Sequence, residues 1–377
     1  MSKPYSYISK KVYILSRRNL KTDLDLSDRI LLKKYNYYNL VNAYKQPFIK
    51  QRSSSEEEEY KNHVKIKNLE ALYVFDTKMR ALLLSNILKI EQYIKHNLID
   101  SFYVIHNSSS NCLQFESEYL KEKYYDLTTI YSKNHNDRRT RKFHVKYQAH
   151  SFQDSQYTLN RNSDYLYFKR IAREIITNEK DDTSTNRSIS SYIENHGMVP
   201  LWILVNDLTL GNISYFYTFQ TKEVQELFLK RIGFYNTQNI NLTDLIFNTS
   251  NALKILTLCR NICAHNERLY NYDVNIPLSD DFLSFSECLP SHEDIENGSI
   301  TDQKFNKRNN ARRGIYSFIF SIYIFLDSED KSKFIQKIAK YLSELQNAVN
   351  PDDYTIILSI MRLNFNWADL IKNTKSF

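Results

Sequence analysis

The sequence predicts an all-α protein, and three observations lead there. Breakers are scarce, with 5 glycines and 6 prolines in 377 residues, too few to punctuate a β-rich chain. Apolar residues recur at three- and four-residue spacing over long runs, the mark of amphipathic helices. No glycine-rich phosphate loop occurs, which removes P-loop and Rossmann nucleotide enzymes. Hydrophobic residues make up 42% of the chain, enough to build a sizeable core in one large domain or two. No internal repeat is visible.

The elements follow in order. Residues 10–50 hold two short helices, and the Ser/Glu-rich stretch 52–59 reads as a loop. Residues 65–106 form the longest helical pattern, with an apolar set that includes Leu69, Leu72, Tyr73, Met79, Leu83, Leu84, Ile87, Ile90, Ile94 and Leu98. Asp76 and Arg80 stand four apart on it, as do Glu91 and Lys95, so each pair is expected to meet. His96 reads as a surface or capped histidine, with a supporting role beside the active site as the alternative. Residues 107–164 are polar and poorly periodic, a loop-rich insertion. Residues 165–177 look helical, and 178–187 are a polar break. A short helix over 188–197 stops at a glycine. Pro200 opens an apolar helix to about Leu210, Gly211 stops it, and Ser214 begins the next. Trp202 is expected to anchor a core in preference to contacting a ligand. Residues 242–272 form one helix, 282–310 a linker, and 311–347 and 352–371 the closing helices. The expected division is an N-terminal segment 1–60, a helical core 61–280 with its insertion at about 107–164, and a C-terminal part 281–377.

Composition narrows the function. Lys+Arg exceed Asp+Glu by 51 to 43, a formal charge of +8, which favours polyanionic partners by a modest margin. The four cysteines, Cys112, Cys259, Cys263 and Cys288, are too scattered for a disulfide framework. With no secretory pattern at the start, a reducing cytoplasm is expected. The apolar run 315–326 is too short to span a bilayer and reads as a buried helix, so no membrane association is expected. No G-x-S-x-G elbow and no C-x-x-C pair occur, which argues against a serine hydrolase and a zinc site. No cofactor or metal is expected.

The chemistry concentrates in C-R-N-I-C-A-H-N-E-R-L-Y-N, Cys259 to Asn271. Arginine presents a fixed fork of donors to a phosphate. Histidine exchanges a proton near neutral pH, and asparagine can orient either. At about 100° per residue, Ile255, Leu256, Leu258, Cys259, Ile262, Cys263, Leu269 and Tyr270 gather on a core side. Arg260, Asn261, Ala264, His265, Glu267 and Arg268 gather on the other. Asn261 and His265 share a face, but Arg260 sits about 140° from His265. One helix cannot easily close both on a single phosphate; a second copy of the helix would bring them together. A further basic run, D-R-R-T-R-K-F-H-V-K from Asp137, either offers Arg138, Arg139, Arg141 and Lys142 to a nucleic-acid backbone, with Phe143 to stack a base, or is an exposed loop that keeps the protein soluble.

The motif resembles that of the Abi-like (AbiD/AbiF-type) abortive-infection family, whose members carry a HEPN domain, the helical domain of many RNA-cutting toxins. Leu31–Phe48 is similar to that family's Tyr-rich N-terminal signature, departing from it at Asn39, where an arginine is expected. Leu72–Leu84 is similar to its long helix, and Pro200–Ser214 to its P-x-W…G-x-x-S segment. The resemblance implies a HEPN-like bundle and a metal-independent endoribonuclease in phage defence, working as a homodimer with one composite site. Arg260 would hold the phosphate, His265 act as acid or base, Asn261 orient, and Arg268 bind a flanking phosphate. The implied partners are an RNA substrate and a structured non-coding RNA. The competing expectation is a non-catalytic RNA-binding or scaffolding protein, recognised by salt-dependent binding without products.

Overall fold

The computed structural model describes residues 7–21, 26–50, 58–106, 113–128, 130–131, 158–180, 187–234, 242–274, 276, 312–364 and 366–368. Over these the protein is all-α, as the scarcity of breakers predicts. The extended structure amounts to isolated bridges and one antiparallel pair of two residues each, Ile130–Tyr131 with Thr158–Leu159, inside the polar insertion. No helix among the described residues is long and apolar enough to cross a membrane.

The chain forms two compact units. The first comprises Met1–Ser85, Cys259–Asn275 and Asn309–Asp369; the second comprises Asn86–Leu258, Ile276–Arg308 and Leu370–Phe377. The units interleave in sequence, because two long helices each begin in one and end in the other.

In the first unit, α1 (Ile8–Arg17) and α2 (Leu26–Lys34) lead through a π turn and a 3-10 turn to the start of α3 (Ile66–His106). Helix α3 matches the expected span to within a residue, because its 41 residues contain neither Gly nor Pro and keep one apolar face. Leu69, Leu72, Met79 and Leu83 on that face are fully buried. Asp353, also fully buried, receives Lys61 Nζ at 2.6 Å and lies 2.7 Å from His63 Nε2.

The C-terminal helices of this unit depart from expectation. The span 311–347 is not one helix but two, α11 (Ile315–Tyr323) and α12 (Ser328–Ala348), and α13 (Pro351–Ile360) follows. The break is made by Asp327, whose side chain accepts from the Asp330 amide at 2.8 Å and caps α12. Helix α13 is capped by Asn350. It stops well short of residue 371, with Arg362 beyond its end in the left-handed region. The apolar run is buried as expected, from Ile315 through Ile322.

In the second unit, the described part of the insertion holds α4 (Glu116–Tyr119) and a 3-10 turn. Then come α5 (Arg161–Lys180), α6 (Arg187–His196), α7 (Leu201–Leu204), α8 (Leu210–Thr218), α9 (Lys222–Arg231) and α10 (Leu242–Ala264). Gly197, at φ +68°, ends α6 as expected. Gly211 does not end a helix. The helix after Pro200 closes at Leu204, and α8 starts at Leu210, not Ser214. Thr209 and Asn212 exchange side-chain and backbone hydrogen bonds, a capping box that fixes this start. A Cβ on Gly211 would stand 3.3 Å from Thr257 Cγ2, so glycine lets α8 pack close to α10. Trp202 is not a core anchor: 43% of it is exposed.

The core of this unit is aromatic. Phe102, Tyr125, Tyr165, Phe168, Phe216 and Phe219 pack ring on ring, with Phe168–Phe216 centroids 4.8 Å apart and Tyr125–Phe219 5.0 Å apart. Tyr165 Oη donates to the Leu120 carbonyl at 2.7 Å, which satisfies its polar end. Phe216→Ala is expected to cost about 3–5 kcal/mol in urea denaturation; a loss under about 1 kcal/mol would show that this cluster does not hold the unit.

Candidate active site at the end of helix α10

Helix α10 buries Ile255, Leu256, Cys259 and Ile262, and leaves Asn261 and Ala264 exposed, so the two-sided reading of the motif holds across the helical residues. The helix nevertheless ends at Ala264, not Tyr272. His265 donates its amide to the Asn261 carbonyl at 2.9 Å. The Asn266 amide reaches the Cys263 carbonyl at 3.4 Å, and the Glu267 amide the Ile262 carbonyl at 3.0 Å. That pair of bonds, with Asn266 at φ +57°, is a Schellman turn. Asparagine tolerates the left-handed conformation better than other side chains with a Cβ. The expected placement of Glu267–Tyr270 on the helical wheel is therefore replaced by a turn.

The segment after the turn is held from below by a buried polar group. Asp76 is fully buried in the first half of α3. Its carboxylate accepts the Leu269 amide at 3.2 Å, the Tyr270 amide at 2.7 Å and the Tyr44 hydroxyl at 2.7 Å, and it is paired with Arg80. Burial pushes the Asp76 pKa up, against the pull of Arg80, Tyr44 and the two amides. Four donors aimed at two oxygens suit the ionised form. Arg80 then donates to the Glu267 carbonyl at 3.1 Å and to Thr77 Oγ1 at 3.0 Å. Tyr44 stacks on Tyr270 with centroids 5.3 Å apart. The expected Asp76–Arg80 pair thus forms, and its further task is to clamp the backbone just beyond the motif.

The motif side chains lie as follows. Arg260 is half-buried, and its Nη1 stands 3.4 Å from Asn261 Oδ1. Asn261 and His265 are exposed, and the His265 ring makes no hydrogen bond among the described residues. Arg268 is exposed but donates to the Ala43 carbonyl at 3.0 Å, which draws one arm of its guanidinium onto the N-terminal segment. Its remaining donors stay available. Arg138, Arg139, Arg141 and Lys142 lie outside the described residues. Cys259 and Cys263 are free and buried; burial and a hydrogen bond with Cys263 hold the Cys259 thiol well above its ordinary pKa, the condition of an inert thiol. Cys288 lies outside the described residues, and among those described no group of His, Cys, Asp and Glu could hold a metal ion.

A protein-family profile described as Abi-like protein matches residues 30–271, running from α2 through the turn that follows the motif. The chain belongs to the Abi-like protein family. Membership suggests a role in abortive-infection defence against phage. No curated protein and no solved structure matches the chain.

What sequence reasoning missed here is the frame's reach. The Asp76/Arg80 spacing signalled a pair, but its backbone partners lie almost two hundred residues away. Arg80→Ala leaves Asp76 buried without its cation and is expected to cost about 3–5 kcal/mol, read from urea midpoints. Asn266→Gly should keep wild-type stability, whereas Asn266→Val should lose about 1–2 kcal/mol; equal midpoints for the two would contradict the left-handed turn.

Proposed function

We propose that this Abi-like protein is a metal-independent endoribonuclease of the HEPN type, acting in abortive infection. The observation that carries the proposal is the separation of duties at the end of α10. Asn261 and His265 are left in solvent, and half-buried Arg260 lies 3.4 Å from Asn261, while Cys259, Ile262, Leu269 and Tyr270 are committed to packing and the segment beyond the turn to the Asp76 clamp. A helix terminus whose backbone is held this firmly is a pre-organised platform.

The chemistry follows from the side chains. A base removes the proton of a ribose 2′-OH, and the oxygen attacks the adjacent phosphorus. The 5′ oxygen leaves with a proton from an acid, giving a 2′,3′-cyclic phosphate and a free 5′-OH. Arg260 holds the phosphate and offsets charge in the transition state. Two copies of His265, one from each subunit of a homodimer, supply the base and the acid, and Asn261 orients the imidazole or the substrate. DNA lacks the attacking hydroxyl and is not cut. Arg268 and the basic run with Arg138, Arg139, Arg141 and Lys142 bind flanking phosphates, and a structured non-coding RNA is a second partner in this scheme.

His265→Ala and Arg260→Ala should each lower RNA cleavage at least about 100-fold while the sedimentation of the dimer is unchanged. Wild-type cutting should persist in excess EDTA. Undiminished cleavage by the His265→Ala protein, or a strictly monomeric active enzyme, would overturn the proposal. Salt-dependent RNA binding with no product from the wild type would favour the scaffolding reading.

A further inference from the structure

The second unit carries a cleft that the cleavage scheme does not use. It is lined by Gln92, Lys95, His96, Ile99, Asp100 and Tyr103 of α3 and by Trp202, Val205 and Asn206 around α7, with a volume of about 450 Å³. That lies within the ~300–1,000 Å³ of small-ligand clefts. Trp202 leaves 43% of its surface in solvent, an unusual allowance for an indole with a core close by. It is nevertheless held in place. Its ring meets Tyr103 edge-on at 5.1 Å, and the Tyr103 hydroxyl is fixed between the Leu201 amide at 3.2 Å and the Leu113 carbonyl at 3.3 Å.

The charges of the cleft are already satisfied. Lys95 is paired with Glu91 at 2.8 Å, and Asp100 with Arg231. Gln92, His96 and Asn206 keep uncommitted polar atoms. Gln92 and His96 are exposed and make no hydrogen bond among the described residues. The Asn206 amide nitrogen donates to the Ile203 carbonyl at 3.1 Å, which leaves its oxygen to accept. A rigid, half-exposed indole beside uncommitted amide and imidazole groups suits a flat, uncharged ring whose edge carries both donors and acceptors. Among the described lining residues no lysine or arginine is spare for a phosphate, since Lys95 is paired with Glu91.

We infer that the cleft between α3 and α7 binds a nucleobase, stacked on Trp202 and read at its edge by Gln92, His96 and Asn206. The base could belong to an RNA strand or to a free nucleoside; the chemistry is shared. The inference stands apart from the cleavage reading, since none of its residues belongs to the Arg260–His265 motif.

The test is tryptophan fluorescence of the full chain, which has two tryptophans; Trp367 is only 8% exposed, so quenching reports on Trp202. The probes are the four nucleosides, ribose 5-phosphate, and single-stranded 2′-deoxy homopolymers, which lack the attacking hydroxyl and so separate binding from cutting. Quenching by nucleosides supports a free ligand, and quenching by the homopolymers alone supports a strand. Quenching by neither at millimolar concentration, or by ribose 5-phosphate equally well, overturns the inference. In calorimetry Trp202→Ala should weaken binding about 5- to 150-fold, with Trp202→Phe largely restoring it. The double change Gln92→Ala/His96→Ala should flatten the preference among bases. Unaltered affinity in Trp202→Ala would equally sink the idea.

Discussion

The buried carboxylate of Asp76 is the constraint on which the geometry beyond the motif helix in the first unit depends. Burying an ion is costly unless it is paired and hydrogen-bonded. Here the cost is offset by Arg80, Tyr44 and two backbone amides at once. The amides belong to the segment that leaves the motif turn. The interaction therefore ties three distant stretches of chain together: the N-terminal segment at Tyr44, the long helix at Asp76 and Arg80, and the turn beyond His265. Its effect is directional as well as energetic, because a carboxylate accepting two successive amides leaves little freedom in how the backbone exits α10.

That clamp clarifies the division of labour within the motif. Cys259, Ile262, Leu269 and Tyr270 are buried, and Asn261 and His265 are not. A polar group left in solvent at a rigid terminus can meet a ligand without first unfolding anything. Arg268 is a mixed case, since the Ala43 carbonyl occupies one arm of its guanidinium. In the proposed scheme it contributes to a flanking phosphate only through its remaining donors. The cleft beside Trp202 follows the same principle in the other unit: an exposed aromatic face, with its ring neighbour Tyr103 tied to backbone on two sides.

Much of the helical order was legible, and for identifiable reasons. Helix α3 could be read almost to the residue because a long apolar face without breakers admits few alternatives. The end of α6 was legible because Gly197 needs no special context to adopt a left-handed conformation. The misreadings share a cause. At Asp327, at Thr209 with Asn212, and at Asn266, short polar side chains or left-handed turns ended or began helices whose apolar periodicity ran on through the boundary. Periodicity reports which residues are buried, and Leu269 and Tyr270 are indeed buried. It does not report whether the backbone carrying them is still helical.

The sequence by itself determined the fold class and the family, and it supplied the motif residues on which the proposed chemistry rests, because breaker content, apolar spacing and motif composition are properties of neighbours along the chain. Only the tertiary structure decided where the motif helix stops, what holds the segment after it, and that Trp202 faces a cleft. The last two of those outcomes depend on Asp76, Ala43 and Tyr103, residues far from the motif or from Trp202 in sequence. A hydrogen bond or ring contact spanning such a distance leaves no periodic trace in the chain, since it constrains a pair of positions and not a pattern.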